Sequence, residues 1–376
     1  MREVVVTGVG LVSCVGEGVE AHLAALRSGP EPRIDGESFA PFAVHPAVPL
    51  DWDKQIPKKS EQRQMENWQR LGVYAAGLAL DSAAAQQDPE LKRRMHLLVA
   101  AGGGERDYAV DAQILSALPE AEDKAAFLNE RLMNDLRPTL LLVQLPNLLA
   151  GSISIVHGVT AGSRSLMGEE QSGVEALRIA HARIAAGEAD AYLVGGAYNA
   201  ERPDAVLLFA LGGFLWKQPF RSVWDRPEDG GGFILGSGAA FLVLEAREHA
   251  HARGAKALAT LAKVVTERTR RQPGDVGASL RRMWRDAGVG ADAAVISGAT
   301  GVAGITAEER AALDELAPAA RAHATGDLVG HTIEGQAPFG VALAAASIAA
   351  GDSAEAVITS FGHRRGEGLI RLTRAG

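Results

Sequence analysis

The chain has 376 residues, 47% of them hydrophobic and 22% charged, enough for a full core in two domains or in one large duplicated unit. Its formal net charge of −8, from 38 Lys and Arg against 46 Asp and Glu with no long basic run, excludes the electrostatic footprint of a nucleic-acid binder. A single cysteine, Cys14, excludes an intramolecular disulfide and a cysteine-based metal site, as expected for the reducing cytosol.

Residues 3–7 are β-branched and apolar and read as a buried strand that stops at Gly8. The opening run is too short for a secretory segment, and no later run is expected to reach membrane-spanning length, so the expected location is cytoplasmic. A short helix over 18–27 is closed by Gly29-Pro30. Residues 34–57 are Pro-rich and aperiodic and read as a surface loop. Lys54, Lys58, Lys59 and Arg63, with Arg70 beyond, form the one local basic patch, which reads equally as an ordinary solvated surface.

Helical spacing covers 66–84, and a buried strand covers 97–101, ending in Gly102-Gly103-Gly104. These glycines lack the spacing and the following acid of a dinucleotide fingerprint and read as a structural turn. Two short surface helices are predicted within 110–133 and an apolar helix over 138–150. The clearest helix is 171–186, where Val174, Leu177, Ala180 and Ile184 recur at helical spacing and Gly187 supplies the stop. A strand over 191–194 ends at Gly195-Gly196. The apolar stretch 233–245 follows, then strands over 256–265 and 293–297, helices over 306–316 and 339–350, and closing strands over 356–360 and 369–372. Strands alternating with helices imply an α/β protein whose sheet is covered on both faces.

Several segments carry a resemblance. Val4-Val5-Val6-Thr7-Gly8-Val9-Gly10 opens the chain, and Asn147-Leu148-Leu149-Ala150-Gly151 runs without a gap through Ile155-Val156-His157-Gly158. Gly187-Glu188-Ala189-Asp190 leads to Gly195-Gly196-Ala197. Pro219-Phe220 leads through Asp225-Arg226 to Gly232-Phe233-Ile234-Leu235-Gly236-Ser237-Gly238. In order and spacing these resemble the β-ketoacyl-acyl-carrier-protein synthases, synthase II above all. The resemblance implies a thiolase-like five-layer α-β-α-β-α fold from two similar halves, here 1–245 and 246–376, and a dimer.

Condensation in that family needs a thiolate at the N-terminus of a buried helix, an oxyanion hole of two backbone amides, two histidines and a lysine. Carried along the ungapped stretch, the cysteine position falls on Glu170 in Met167-Gly168-Glu169-Glu170-Gln171-Ser172-Gly173, with Glu169 a competitor for the pocket-facing place. A carboxylate is a weak nucleophile toward a thioester, and losing the thiol removes the acyl-enzyme step. Cys14 lies in the turn after the first strand and reads as a small buried residue. The first histidine position falls near Ala299 and the lysine position on Gly326, while the second histidine is kept as His331. In Ser360-Phe361-Gly362-His363-Arg364-Arg365-Gly366, Phe361 matches the family and His363 takes the gate position.

The resemblance therefore marks Glu170 and His331 as candidate catalytic-position residues, and Phe233, Phe361 and His363 as candidate substrate-binding residues. Lys58, Lys59 and Arg63 are the candidates for docking an acyl carrier protein. Structural readings stand beside these: His331 as a satisfied core histidine, and Glu170 as a helix-start residue favoured by the macrodipole. No cofactor, metal, nucleic acid or membrane span is implied. The expected role is a non-condensing or chain-length-determining subunit of fatty-acid (very-long-chain acyl systems included) or polyketide synthesis, paired with a cysteine-bearing synthase. An active acyltransferase or malonyl decarboxylase using Glu170 and His331, and an acyl-binding homodimer without turnover, are the alternatives.

Overall fold

In the computed structural model, the apolar opening run forms strand β1 (Val4–Val12), buried at every residue. The structure describes all residues except 30, 32 and 137, and only the main chain of 141 and 142. The strand does not stop at Gly8. Gly8 and Gly10 instead let a helix, α1 (Asn67–Ser82), lie directly against it: a Cβ at Gly10 would fall 2.0 Å from the carbonyl oxygen of Ala75. The expected Gly29-Pro30 stop is realised at Gly29, where φ is 86°; Pro30 lies outside the described residues.

Four more strands follow: β2 (His96–Ala100), β3 (Gly162–Leu166), β4 (Ala191–Tyr198) and β5 (Gly238–Ala246). They bond in the order β3-β2-β4-β5-β1. Five further strands of the same sheet are β6 (Ala259–Glu267), β7 (Ala294–Ser297), β8 (Ala322–Ala324), β9 (Glu355–Phe361) and β10 (Glu367–Thr373), in the order β8-β7-β9-β10-β6, and the short pair Val44–His45 and Leu235–Gly236 forms a separate parallel ladder. Counted within its own set, each series runs third, second, fourth, fifth, first. In both, the third, second and fourth strands are parallel, and the fifth is antiparallel to the strands on either side of it. Val5 opposite Thr260 and Val6 opposite Ala259 join the two series into ten continuous strands.

The helices repeat as well. After α1 come α2 (Asn147–His157), α3 (Glu170–Ala186) and α4 (Pro203–Leu211). In the second series α5 (Asp275–Ala287), α6 (Ala303–Leu316) and α7 (Gln336–Ala350) occupy the places of α1, α2 and α3. One core joins Val174, Leu177 and Ile184 of α3 and Val341 and Leu343 of α7 to Val194 and Leu242 on one side and Ile296, Ile358 and Ile370 on the other. A second core packs α1 and α2 on the outer face of the first sheet, and a third packs α5 and α6 on the outer face of the second. This gives five layers, the thiolase-like arrangement, with α3 and α7 in the middle.

Three local expectations change. The helix expected over 138–150 is two, Leu140–Gln144 and Asn147–His157, because Pro146 has no N–H to continue the first and fits the start of the second. The strand expected to end at Gly195-Gly196 runs on to Tyr198, since β5 continues to pair with it beyond the glycines, Ala197 opposite Ala239 and Tyr198 opposite Gly238. The run Ile333–Ala350 does reach membrane-spanning length by composition, but 89% of it is buried between the sheets as α7 and the turn before it.

The middle layer fixes the site. A Cβ at Gly173, in the first turn of α3, would fall 2.6 Å from the Glu334 carbonyl oxygen, so only glycine lets α3 start against the turn that opens α7.

Candidate functional site

Helix α3 begins abruptly. Gly168 has φ 148°, and Glu169 at the N-cap has φ 56°, a left-handed value costly for a residue with a Cβ. That strained turn aims the next side chain, Glu170, into the protein, where it is 1% exposed. The two candidates at this turn are therefore separated: Glu170 is interior, and Glu169 lines a neighbouring cavity.

His331 arrives from the other half. Its N–H donates to the Ile234 carbonyl at 2.8 Å, and its carbonyl accepts from the Gly236 N–H at 3.0 Å. The glycine-rich segment 232–238 thus holds His331 in place. His363 sits in the tight turn after β9, closed by Gly362 N–H to the Gly366 carbonyl and braced by Arg271 Nη2, which donates to the Gly362 and Gly366 carbonyls.

These three side chains converge. His331 Nε2 and His363 Nδ1 each lie 2.8 Å from Glu170 Oε1, and the His363 main-chain N–H donates to the same oxygen at 3.2 Å. A carboxylate can only accept, so each ring presents its near N–H. Burial works to raise the Glu170 pKa, but the hydrogen bonds and fields of His331 and His363 outweigh it and hold the carboxyl well below its ordinary value. Glu170 Oε2, His331 Nδ1 and His363 Nε2 are buried without a hydrogen-bond partner. Phe233 lies tilted over His331 at 4.6 Å, and Phe214, Phe209 and Phe233 meet the edges of His363 at 4.7, 5.5 and 5.6 Å.

The positions that carry the first histidine and the lysine in the resembling family are filled otherwise. Ala299 is buried beside Val223 and Ala324. A Cβ at Gly326 would fall 3.0 Å from Val223 Cγ2, so a lysine there would need the wall to move. Nearby, Gln336 Nε2 donates to Thr325 Oγ1, and Gln336 Oε1 accepts from Thr332.

Of the remaining candidates, Phe361 is fully buried in the outer core with Leu280 and Leu369 and does not join the cluster. Lys58, Lys59 and Arg63 are exposed on or beside a short helix, Lys59–Gln64; Lys58 pairs with Glu61 and Lys59 with Asp53. Cys14 is 2% exposed, and burial pushes its thiol up to about 11.

Beside the cluster lies a cavity of about 420 Å³ whose lining includes Glu169, Tyr198, Arg202, Leu208, Phe209 and Glu334. Glu334 was not a candidate. Burial raises it most, and the charges of Glu170 and Glu169 raise it further, to about 8. Its signal was present as the lone carboxylate in the apolar stretch from Ile333 to Ala350. Phe209 and Phe214, which wall His363, carried no comparable signal.

A five-layer fold with the start of a buried middle helix facing a histidine from the other half defines a thiolase-like condensing-enzyme scaffold. The β-ketoacyl synthase N-terminal domain model matches residues 1–250, and the chain belongs to that family. It is 31% identical over 269 residues to 3-oxoacyl-[acyl-carrier-protein] synthase 2 of Vibrio harveyi, a match covering 69% of this chain and 61% of the relative. Among solved structures it is similar over the full length of both chains to the ishigamide ketosynthase/chain length factor, with TM-score 0.81 and 23% identity. It is likewise similar, at TM-score 0.77 and 19% identity over both full chains, to a type II polyketide ketosynthase solved with its acyl-carrier protein. Within this family the chain carries Glu170, not a cysteine, at the start of the buried middle helix.

Proposed function

We propose that this chain is a non-condensing subunit that pairs with a cysteine-bearing β-ketoacyl synthase and helps set the length of the acyl chain built there. The single observation that carries the reading is the occupation of Glu170 Oε1 by three donors: the two histidine rings and the His363 amide. Donors that would stabilise an oxyanion developing on a thioester are already committed to a resident anion. A carboxylate this strongly solvated by the protein is a poor nucleophile, and a second negative charge beside it raises the barrier further.

The rest of the scaffold is intact, which suits a partner subunit. Strand β3 is one edge of the sheet and is exposed over its first three residues. Leu207, Leu208 and Leu211 on α4 and Met167 before α3 are large apolar side chains left 57–80% exposed, and Leu208 and Met167 also line the cavity. An open edge beside apolar surface at a cavity mouth is a surface that another subunit would cover.

The test is co-expression with candidate cysteine-bearing synthases, followed by product analysis. Stable co-purification, with Leu208→Trp or Phe209→Ala in this chain changing the partner's product length, supports the proposal. A homodimer that ignores every candidate synthase, or products unaffected by both substitutions, overturns it.

A further inference from the structure

We propose that Glu170, His331 and His363 form a binding site for one divalent transition-metal ion of the zinc or iron(II) class. The proposal does not depend on the subunit reading above; it rests on the side chains alone.

Glu170 Oε1, His331 Nε2 and His363 Nδ1 all lie within 4.8 Å of one another. Two imidazole nitrogens and one carboxylate oxygen are the donor set of many His₂Glu zinc sites and of the facial triads that hold iron(II). Metal–ligand bonds of about 2.1 Å set spans of about 3.0–3.4 Å between adjacent ligands. The two N···O spans, both 2.8 Å, are close to that range. The two ring nitrogens lie within 4.8 Å of each other. Mg²⁺ and Ca²⁺ prefer all-oxygen sites, and this site offers one carboxylate.

Independent features point the same way. Glu170 Oε2 is buried and receives no hydrogen bond, although it belongs to a charged group. It is free to become a second oxygen ligand. The far nitrogen of His363, Nε2, faces Glu169 Oε1 at 3.7 Å. When a ring binds a metal through one nitrogen, its proton resides on the other, and a carboxylate there is the usual outer partner. Glu169 sits at the turn that opens α3, with φ 56°. Phe209, Phe214 and Phe233 pack around His363, and Phe233 also lies over His331; with the cluster buried in these apolar walls, any ion–carboxylate attraction is strengthened. Glu169 and Phe209, which both lie against His363, also line the neighbouring cavity.

The experiment uses the full chain produced without a histidine tag, stripped with EDTA and then titrated with Co²⁺ as a spectroscopic probe and with Zn²⁺. One equivalent of Co²⁺ per chain should give visible ligand-field bands, which Zn²⁺ abolishes by competition. His363→Ala should weaken binding at least about 100-fold. Glu169→Gln should weaken it about tenfold, the usual cost of losing an outer partner. His157→Gln, at a histidine outside the cluster, should leave it unchanged. If His363→Ala does not fold, the isosteric Glu170→Gln takes its place with the same expectation. Absence of the bands and of stoichiometric Zn²⁺ binding overturns the proposal, as does binding that survives both cluster substitutions in folded protein.

Discussion

Replacing Glu170 by alanine tests whether the carboxylate is a structural clamp in this fold or a strained remnant of a reactive site. In the native state Glu170 Oε1 takes two ring N–H donors at 2.8 Å and one amide at 3.2 Å, with all three side chains at most 3% exposed. Hydrogen bonds to a charged group contribute about 1.5–3 kcal/mol each, and removing one member of a buried charged set costs about 3–5 kcal/mol, because the others are left without partners. We take about 4 kcal/mol. Unfolding entropy of about 2.1 cal/mol/K per residue, over 376 residues, is about 0.8 kcal/mol/K for the chain, so Glu170→Ala lowers Tm by about 5 °C. Glu170→Gln keeps an acceptor at Oε1 but loses the charge and places an amide where Oε2 has no partner. Its loss is smaller, about 2 °C. Scanning calorimetry in EDTA reads the ion-free triad. A Tm that stays level or rises on Glu170→Ala refutes the clamp, since it would mean that the buried carboxylate costs the fold more than its partners return.

Three further outcomes are expected. His157 donates Nε2–H to the Val73 carbonyl at 2.8 Å and accepts from Gln86 Nε2 at Nδ1, and burial pushes its pKa down from 6.5 to about 4. The unfolded chain takes up this proton first, so the stability it contributes is complete above about pH 6.5 and is lost as pH falls toward 4. That amounts to about 2 kcal/mol between pH 6.5 and 5. His157→Gln should flatten the fall of Tm over that window, and an unchanged slope counts against the assignment. Cys14, with its thiol pushed up to about 11, should react with an aromatic disulfide reagent only on unfolding; fast labelling of native protein would contradict its burial. Glu170→Cys restores a thiol at the helix start, but Ala299 and Gly326 leave the first histidine and the lysine missing. It should form no 3-oxoacyl product, and product formation would show those groups to be dispensable.

The parts of the fold governed by local periodicity were legible in the sequence. Helix α3 follows from Val174, Leu177, Ala180 and Ile184 at helical spacing with Gly187 behind them, and the structure starts it one residue earlier than expected. Strand ends at glycines were misread at Gly8 and Gly195 for one reason. A glycine stops a strand only when nothing pairs beyond it, and both positions are paired with neighbouring strands. The site was legible only through the family resemblance. Glu170 lies 161 residues from His331 and 193 from His363, and no spacing rule links them. Even so, the resemblance suggested a gate at His363 and not a ligand of Glu170, because the contact depends on a carboxylate that ordinary members lack. Glu334 was missed for a related reason: a single acid in an apolar helical run is legible as an anomaly, but its cavity is made by the meeting of both halves.

The most direct measurement is product formation from an acyl-carrier-protein thioester and malonyl-carrier protein by the purified chain, alone and together with a cysteine-bearing synthase. The account predicts no 3-oxoacyl product from the chain alone. It predicts product when the synthase is present, with a length that shifts on Phe209→Ala in this chain. Carbon–carbon bond formation by this chain on its own would contradict it.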